Sequence, residues 1–343
     1  MIGSAELRRS RTRDELGGPS QPRYSMPARH TAPRPSRPRP PAAALPLAAA
    51  LAVAGAAAFA VLRRRRGKPA IPAAEGGVAA RRRLHGGAAI LAFSVLADSA
   101  LEHYRGSFHN PAMFVAPAMA AVALATNARA AARPNAGGAG RAVVGAAAML
   151  TGLAGTGFHI YNLGKREGGF SWLNLFYGAP LGAPAAIGMA GVFGLAASRL
   201  AGEQGRPVLL GLPAGPLLAA LAAAGLIGTI AEAALLHFRG AFQDPFMYVP
   251  VTLPPIAAAA LAGAAVCPTG ALRRVAAALL GTTAIVGIAG VGFHAYGIHR
   301  NMGGWRNWSQ TLLQGPPLPA PPGFTGMAVA GLGALSLLGE ARP

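Results

Sequence analysis

Beyond three consecutive arginines, Arg81, Arg82 and Arg83, uncharged or nearly uncharged hydrophobic stretches recur at roughly 84–104, 111–128, 142–163, 173–198, 212–236, 245–266, 275–298 and 316–338. Each is close to the ~20 residues that an α-helix needs to cross a hydrocarbon core. Lipid leaves no solvent for unpaired backbone groups, so stretches of this kind are expected as helices. Only 12% of the chain is charged, about half the usual share of a soluble domain. The 47 glycines and 30 prolines would damage soluble helices but are common in membrane ones, where neighbouring helices satisfy the freed backbone groups. Pro180 and Pro184 crowd the start of the fourth stretch and the prolines of 316–322 that of the eighth, so both starts are predicted to be kinked or non-helical.

Ahead of this body, residues 1–41 are rich in Arg, Pro and Ser and offer too little apolar surface to offset the entropy of ordering, which predicts a disordered basic tail. Residues 42–62 form an uncharged run of 21 residues followed by Arg63, Arg64, Arg65 and Arg66, a further transmembrane or signal-like segment. Residues 63–83 read as a basic cytoplasmic linker. Residues 1–83 carry 17 Lys/Arg and 4 Asp/Glu, whereas 84–338 carry 13 and 6. Most of the net charge of +20 therefore flanks the hydrophobic body, the distribution of a cytoplasmic membrane anchor and not of a nucleic-acid-reading face. With Arg81–Arg83 inside, the inner connections hold seven Lys/Arg and the outer ones six, so the two basic clusters set the orientation. The Ala/Gly/Arg/Pro bias fits a GC-rich bacterial genome and the cytoplasmic membrane. Cys267 is the single cysteine, which excludes an intramolecular disulfide.

The body is internally duplicated. Leu101-Glu-His-Tyr-Arg-Gly-Ser-Phe-His-Asn-Pro-Ala-Met-Phe-Val115 aligns with Leu235-Leu-His-Phe-Arg-Gly-Ala-Phe-Gln-Asp-Pro-Phe-Met-Tyr-Val249, identical at eight of fifteen positions and offset by 134. Gly155-Thr-Gly-Phe-His-Ile-Tyr-Asn-Leu-Gly-Lys-Arg-Glu-Gly-Gly169 aligns with Gly290-Val-Gly-Phe-His-Ala-Tyr-Gly-Ile-His-Arg-Asn-Met-Gly-Gly304 with seven identities and an offset of 135. Two blocks in one order at nearly one offset mark a repeated four-span unit, 84–200 and 207–338. An even number of spans preserves direction, so the halves are expected to be parallel repeats. The fold expectation is an all-α polytopic membrane protein of two parallel four-helix repeats, eight core spans, plus an N-terminal span.

The polar residues that match between halves are Asp98/Glu232, His103/His237, Arg105/Arg239, Asn110/Asp244, His159/His294, Tyr161/Tyr296 and Lys165/Arg300, all at or beyond outer span ends. Asp98 and Glu232 stand inside or near the hydrocarbon, where an ionisable group marks a proton or ligand contact by default. Arg105 and Arg239 follow seven residues later, two helical turns on, so an ion pair fixing the helix end is the alternative. The four histidines end the first and third spans of each unit at similar depth, and two imidazoles facing across a four-helix bundle can ligate a b-type haem. Gly152, Gly155 and Gly157 precede His159 by the same spacings as Gly287, Gly290 and Gly292 precede His294. That makes a smooth lane for a flat ring, or for a neighbouring helix, the usual role of small residues at this spacing. A metal-only site is not expected, because the duplication preserves no set of three or four ligands; His85 has no repeat partner and reads as incidental. Tyr161, Tyr296, Trp172, Trp305 and Trp308 collect near the outer boundary as an aromatic belt.

No nucleotide-binding loop, nucleophile elbow, His-Glu-x-x-His or Cys-x-x-Cys pattern is present, so catalysis by this chain alone is not expected. In arrangement the chain is similar to membrane electron-transfer subunits built from paired four-helix bundles. Two expectations follow. One is an electron-transfer subunit with haem b on His103, His159, His237 and His294, or a quinone site, working with a redox partner; Asp98, Glu232, Arg105, Arg239, Asn110, Asp244, Tyr161 and Tyr296 would supply proton or ligand contacts. The other is a non-enzymatic transporter or membrane scaffold in which the same His/Arg/acid cluster faces outward.

Overall fold

The computed structural model describes residues 74–134, 138–200 and 207–338. The 1–41 tail, the 42–62 segment and the first part of the 63–83 linker lie outside the described residues. Helix α1 (Ala74–Arg105) begins within the linker stretch and carries Arg81, Arg82 and Arg83. A 3-10 turn (Pro111–Phe114) leads into α2 (Val115–Ala132), followed by α3 (Ala139–Lys165), the short α4 (Trp172–Tyr177) and α5 (Gly182–Arg199). A two-residue hairpin, β1 (Val208–Leu209) antiparallel to β2 (Leu212–Pro213), pairs Val208 with Pro213 and Leu209 with Leu212. Then come α6 (Ala214–Arg239), a 3-10 turn (Pro245–Tyr248), α7 (Val249–Val266), α8 (Gly270–Arg300), a third 3-10 turn (Gly304–Asn307), the short α9 (Trp308–Gln314) and α10 (Pro322–Leu335).

Among the described residues, six helical stretches are long and apolar enough to cross a membrane: Gly77–Arg105, Pro111–Ala132, Ala139–Lys165, Ala214–Arg239, Pro245–Val266 and Gly270–Arg300. Their packing is that of a membrane-embedded protein. The interior is built largely of alanine and leucine with buried glycines on α3, α5 and α10, while large apolar side chains stand outside: Val143, Leu150 and Leu153 on α3, Ile285 and Ile288 on α8. Small residues within and bulky apolar ones without is the inverse of a water-soluble bundle.

The fourth and eighth hydrophobic stretches are interrupted. Tyr177 ends α4 and Gly182 begins α5, with Gly178 and Pro180 between them; Gln314 ends α9 and Pro322 begins α10 beyond four further prolines, Pro316, Pro317, Pro319 and Pro321. Proline lacks the N–H that a helix interior needs and its ring clashes with the preceding turn, which is why neither helix runs through. The two helices that follow the breaks are central. α5 packs on α1 and α3; α10 packs on α1, α6 and α8, and eleven of its fourteen residues are buried. Contact is made backbone to backbone: a Cβ at Gly152 of α3 would stand 2.3 Å from the Gly188 nitrogen of α5, and one at Gly87 of α1 would stand 2.6 Å from the Gly326 carbonyl oxygen of α10.

Candidate functional site

The loop after α1 and the loop after α6 adopt one conformation. Ser107 and Phe108 have φ of 56° and 45°, and Ala241 and Phe242 have 56° and 46°. L-residues enter this left-handed region only when held there. The holding bonds are the same in both loops: the Phe108 and Phe242 amides donate to the carbonyls of His103 (2.9 Å) and His237 (3.0 Å). Asn110 and Asp244 accept at 2.9 Å from the amides of Ala112 and Phe246, so both cap a 3-10 turn. His103 and His237 reach through Nδ1 to the carbonyls of Met113 (2.5 Å) and Met247 (2.8 Å), and each stands edge-on to its loop phenylalanine at 6.0 Å. An imidazole N–H thus ties the end of the first helix to the start of the second in both halves.

His159 and His294 do the corresponding work one level on. Their Nδ1 atoms bond the carbonyls of Pro180 (2.5 Å) and Pro317 (2.7 Å), which belong to the two breaks. A carbonyl freed by a helix break in a membrane needs another donor, and here a histidine of the adjacent helix supplies it. Ser94 on α1 does the same for Pro319 at 2.5 Å.

The glycine lanes beneath these histidines are filled by helices. Positions seven before each histidine, Gly152 and Gly287, press on Gly188 and Pro184 of α5 and on Thr325 and Pro321 at α10; positions four before, Gly155 and Gly290, meet the side chains of Pro184 and Pro321. Of the two ligands considered for the lane, a flat ring or a neighbouring helix, the helix occupies it. Only Gly157 and Gly292, two residues before each histidine, face open space.

The two acids lie within electrostatic reach of each other. The Glu232 carboxylate on α6 lies against Gly182, the first residue of α5, where a Cβ would stand 3.0 Å from its Cδ. Asp98 on α1 lies within electrostatic reach of Glu232, Glu102 and Arg105. The arginines do not pair with the acids seven residues earlier. Arg105 bridges to Glu102 at 2.7 Å, and Arg239 lies over the rings of Phe176 and Tyr177 at 5.8 Å. Tyr161 and Tyr296 are exposed and carry Lys165 and Arg300 over their rings at 5.2 and 5.7 Å. Glu102, Tyr104, Arg105 and Ser107 border an open depression of about 850 Å³ closed on its far side by Leu313 and Gln314. Among the described residues no three His, Cys, Asp or Glu side chains converge on a metal-sized space.

Two features escape a reading of the sequence. His85, which reads as incidental, is fully buried and holds Asn127 Oδ1 through Nδ1 at 2.8 Å, while Asn127 Nδ2 donates to the Ala123 carbonyl. At the positions offset by 134 stand Ala219 and Leu261, both buried and apolar. The second feature is the correspondence between the two predicted breaks. Gly178-Ala-Pro-Leu-Gly-Ala-Pro184 matches Gly315-Pro-Pro-Leu-Pro-Ala-Pro321 at five of seven positions with an offset of 137. Asn174 and Thr311, also 137 apart, bond the equivalent carbonyls of Gly169 (2.7 Å) and Gly304 (3.1 Å).

Compared with known proteins, the chain matches no family model, no curated protein and no solved structure.

Proposed function

We propose that the chain is a membrane carrier of the bacterial cytoplasmic membrane, built as two parallel four-helix units (84–200 and 207–338) with eight crossings and preceded by a crossing at 42–62. The repeated loop bonds, the repeated histidine struts and the repeated breaks support the duplication. The observation that carries the carrier reading is the Glu232 carboxylate against Gly182 at the broken fourth segment, with Asp98 within electrostatic reach of it. Gly/Pro-interrupted helices at corresponding places in two halves are a recurrent way of building a substrate or ion site in transporters. Intramembrane carboxylates beside them are recurrent proton relays. Each acid lies seven residues, about 10 Å of helix, inside its outer end, within reach of an outward-facing opening. In this reading the histidines are struts that keep the broken backbone satisfied, and the acid pair takes up and releases one proton or small cation.

Infrared difference spectra of the bilayer-reconstituted protein across a pH titration test this. A protonated carboxyl C=O band that disappears in Asp98→Asn or Glu232→Gln is the expected result; its absence from the folded wild-type protein would eliminate the acid pair as a proton site.

A second reading, an electron-transfer subunit with haem b or a quinone contact, draws on one observation. Each of the four histidines engages a carbonyl through Nδ1, which leaves Nε2 with the lone pair that a metal-bound imidazole uses. His237 and His294 also lie within electrostatic reach of each other. Helices α5 and α10 occupy most of the glycine lanes, so a haem would have to lie on the side of Gly157 and Gly292. A reduced-minus-oxidised visible spectrum of the purified protein with His159→Ala and His294→Ala variants decides: a b-type band lost in the variants establishes the haem, and a featureless spectrum from haem-replete cells removes it.

A further inference from the structure

The short helix before each break packs against the first helix of the other unit, α4 against α6 and α9 against α1. The two places are lined differently. At the end of α6, Phe176 of α4 stands edge-on to Phe238 at 5.8 Å and to Tyr177 at 4.7 Å, with Trp172 at 6.1 Å. Arg239 lies over the rings of Phe176 and Tyr177. At the end of α1 the counterparts of Phe238 and Arg239, at the offset of 134, are Tyr104 and Arg105. The counterparts of Trp172, Phe176 and Tyr177, at the offset of 137 that relates the breaks, are Ser309, Leu313 and Gln314. Three rings thus give way to three non-aromatic side chains. The depression of about 850 Å³ lies at this place, with Tyr104 and Arg105 on one side and Leu313 and Gln314 on the other.

We propose that this depression binds a small uncharged aromatic molecule, whose ring takes against α1 the place that Phe176 holds against α6. Tyr104 offers such a ring the aromatic contact that Phe238 gives Phe176, and Arg105 offers the cation that Arg239 places over it. The volume falls in the range of small-molecule sites. The residues that differ between the two places define the polar part of the ligand. Glu102 stands where α6 has Leu236, Ser107 where its loop has Ala241, and Gln314 where α4 has Tyr177, and all three line the depression. They bring hydrogen-bond donors and acceptors that an acyl chain would leave unused, so a ring with hydroxyl or carbonyl substituents fits better than a lipid tail. Arg105 is paired with Glu102 at 2.7 Å, which suits a neutral ligand. The proposal stands on the comparison of the two halves and does not depend on the carrier reading, whose Asp98 lies one turn deeper along α1 than Glu102.

The test places the full-length protein in lipid nanodiscs with two probes of similar size, 4-fluorophenol and 4-fluorocyclohexanol, and reads fluorine transverse relaxation against empty nanodiscs. The wild type is expected to broaden the 4-fluorophenol line severalfold more than that of 4-fluorocyclohexanol. Leu313→Phe with Gln314→Tyr, which installs the rings of the other half, is expected to abolish the difference, and Tyr104→Ala to reduce it severalfold. Phe158→Ala, an exposed ring of α3 outside the depression, should leave it intact. Equal broadening of the two probes overturns the proposal, since it would mark a site for any apolar group. A difference that survives Leu313→Phe with Gln314→Tyr overturns it as well, by placing the aromatic site elsewhere. Should the double variant fail to fold, Tyr104→Ala carries the test, and a difference unchanged by it has the same consequence.

Discussion

The Glu232 carboxylate rests against Gly182, where α5 resumes after its break, close enough that a Cβ on Gly182 would lie 3.0 Å from Glu232 Cδ. The unpaired amides at a helix start favour a negative partner, and the missing side chain at Gly182 is what lets the partner approach. Gly182→Ala is therefore expected to displace the carboxylate and lower stability by about 0.5–2 kcal/mol, seen as a lower melting temperature in detergent. In a Glu232→Ala background the same change should cost much less. Equal costs in both backgrounds would show that the two residues are not coupled.

The glycine lanes make an unequal pair of predictions. Gly152→Ala puts a methyl group 2.3 Å from the Gly188 nitrogen and must push α3 off α5, at a cost of ~2 kcal/mol or more. Gly157→Ala meets nothing within 4 Å and should be neutral in the same melt. A neutral Gly152→Ala would mean that α3 and α5 are further apart than described.

His85 and Asn127 offer a transplant between halves. Removing the imidazole by His85→Ala leaves the buried Asn127 amide short of a partner, for a loss of about 1–3 kcal/mol. Adding Asn127→Leu reproduces the Ala219 and Leu261 arrangement of the other half and should recover most of the loss. A double variant no better than His85→Ala would show that the two halves pack differently at this depth.

Orientation is open to thiol labelling in cells. Cys267, exposed after α7, is expected to react with a membrane-impermeant maleimide only after permeabilisation. Gln243→Cys, in a Cys267→Ser background, lies in the loop between α6 and α7 and should react from outside. The reverse pattern would invert the topology.

Much of this organisation is written plainly in the chain. Spans are legible because lipid demands a continuous run of about 20 apolar residues, and the loops around Arg105 and Arg239 because the same His, Gly, Phe, Pro and Met recur there in one order. The proline-crowded starts at Pro180 and at Pro316–Pro322 also declare themselves, since proline forbids the helix whatever surrounds it. His85 does not declare itself: a histidine in an alanine-rich helix gives no sign of an asparagine 42 residues away. The partners of His159 and His294 are hidden for a different reason. They are backbone carbonyls, which carry no residue identity, and the offset drifts from 135 to 137 where they lie, so the match falls outside the two obvious blocks. The glycine lanes were legible as lanes, but not as to what fills them, because close packing of helices and room for a ring ask for the same small residues.

Helix α10 has fourteen residues, about 21 Å of rise, too short to traverse the hydrocarbon alone. It touches α1, α6 and α8 and follows all three in the chain. A segment of this kind cannot partition into the bilayer on its own merit; the walls that receive it have to be standing first. The expected order of assembly therefore has the earlier helices in place before α10 enters the slot between α1, α6 and α8. Damage to that slot, at Gly87 or Gly287, would surface as a failure to complete assembly, with the C-terminal stretch left open to quality-control proteases while the earlier helices remain in the membrane.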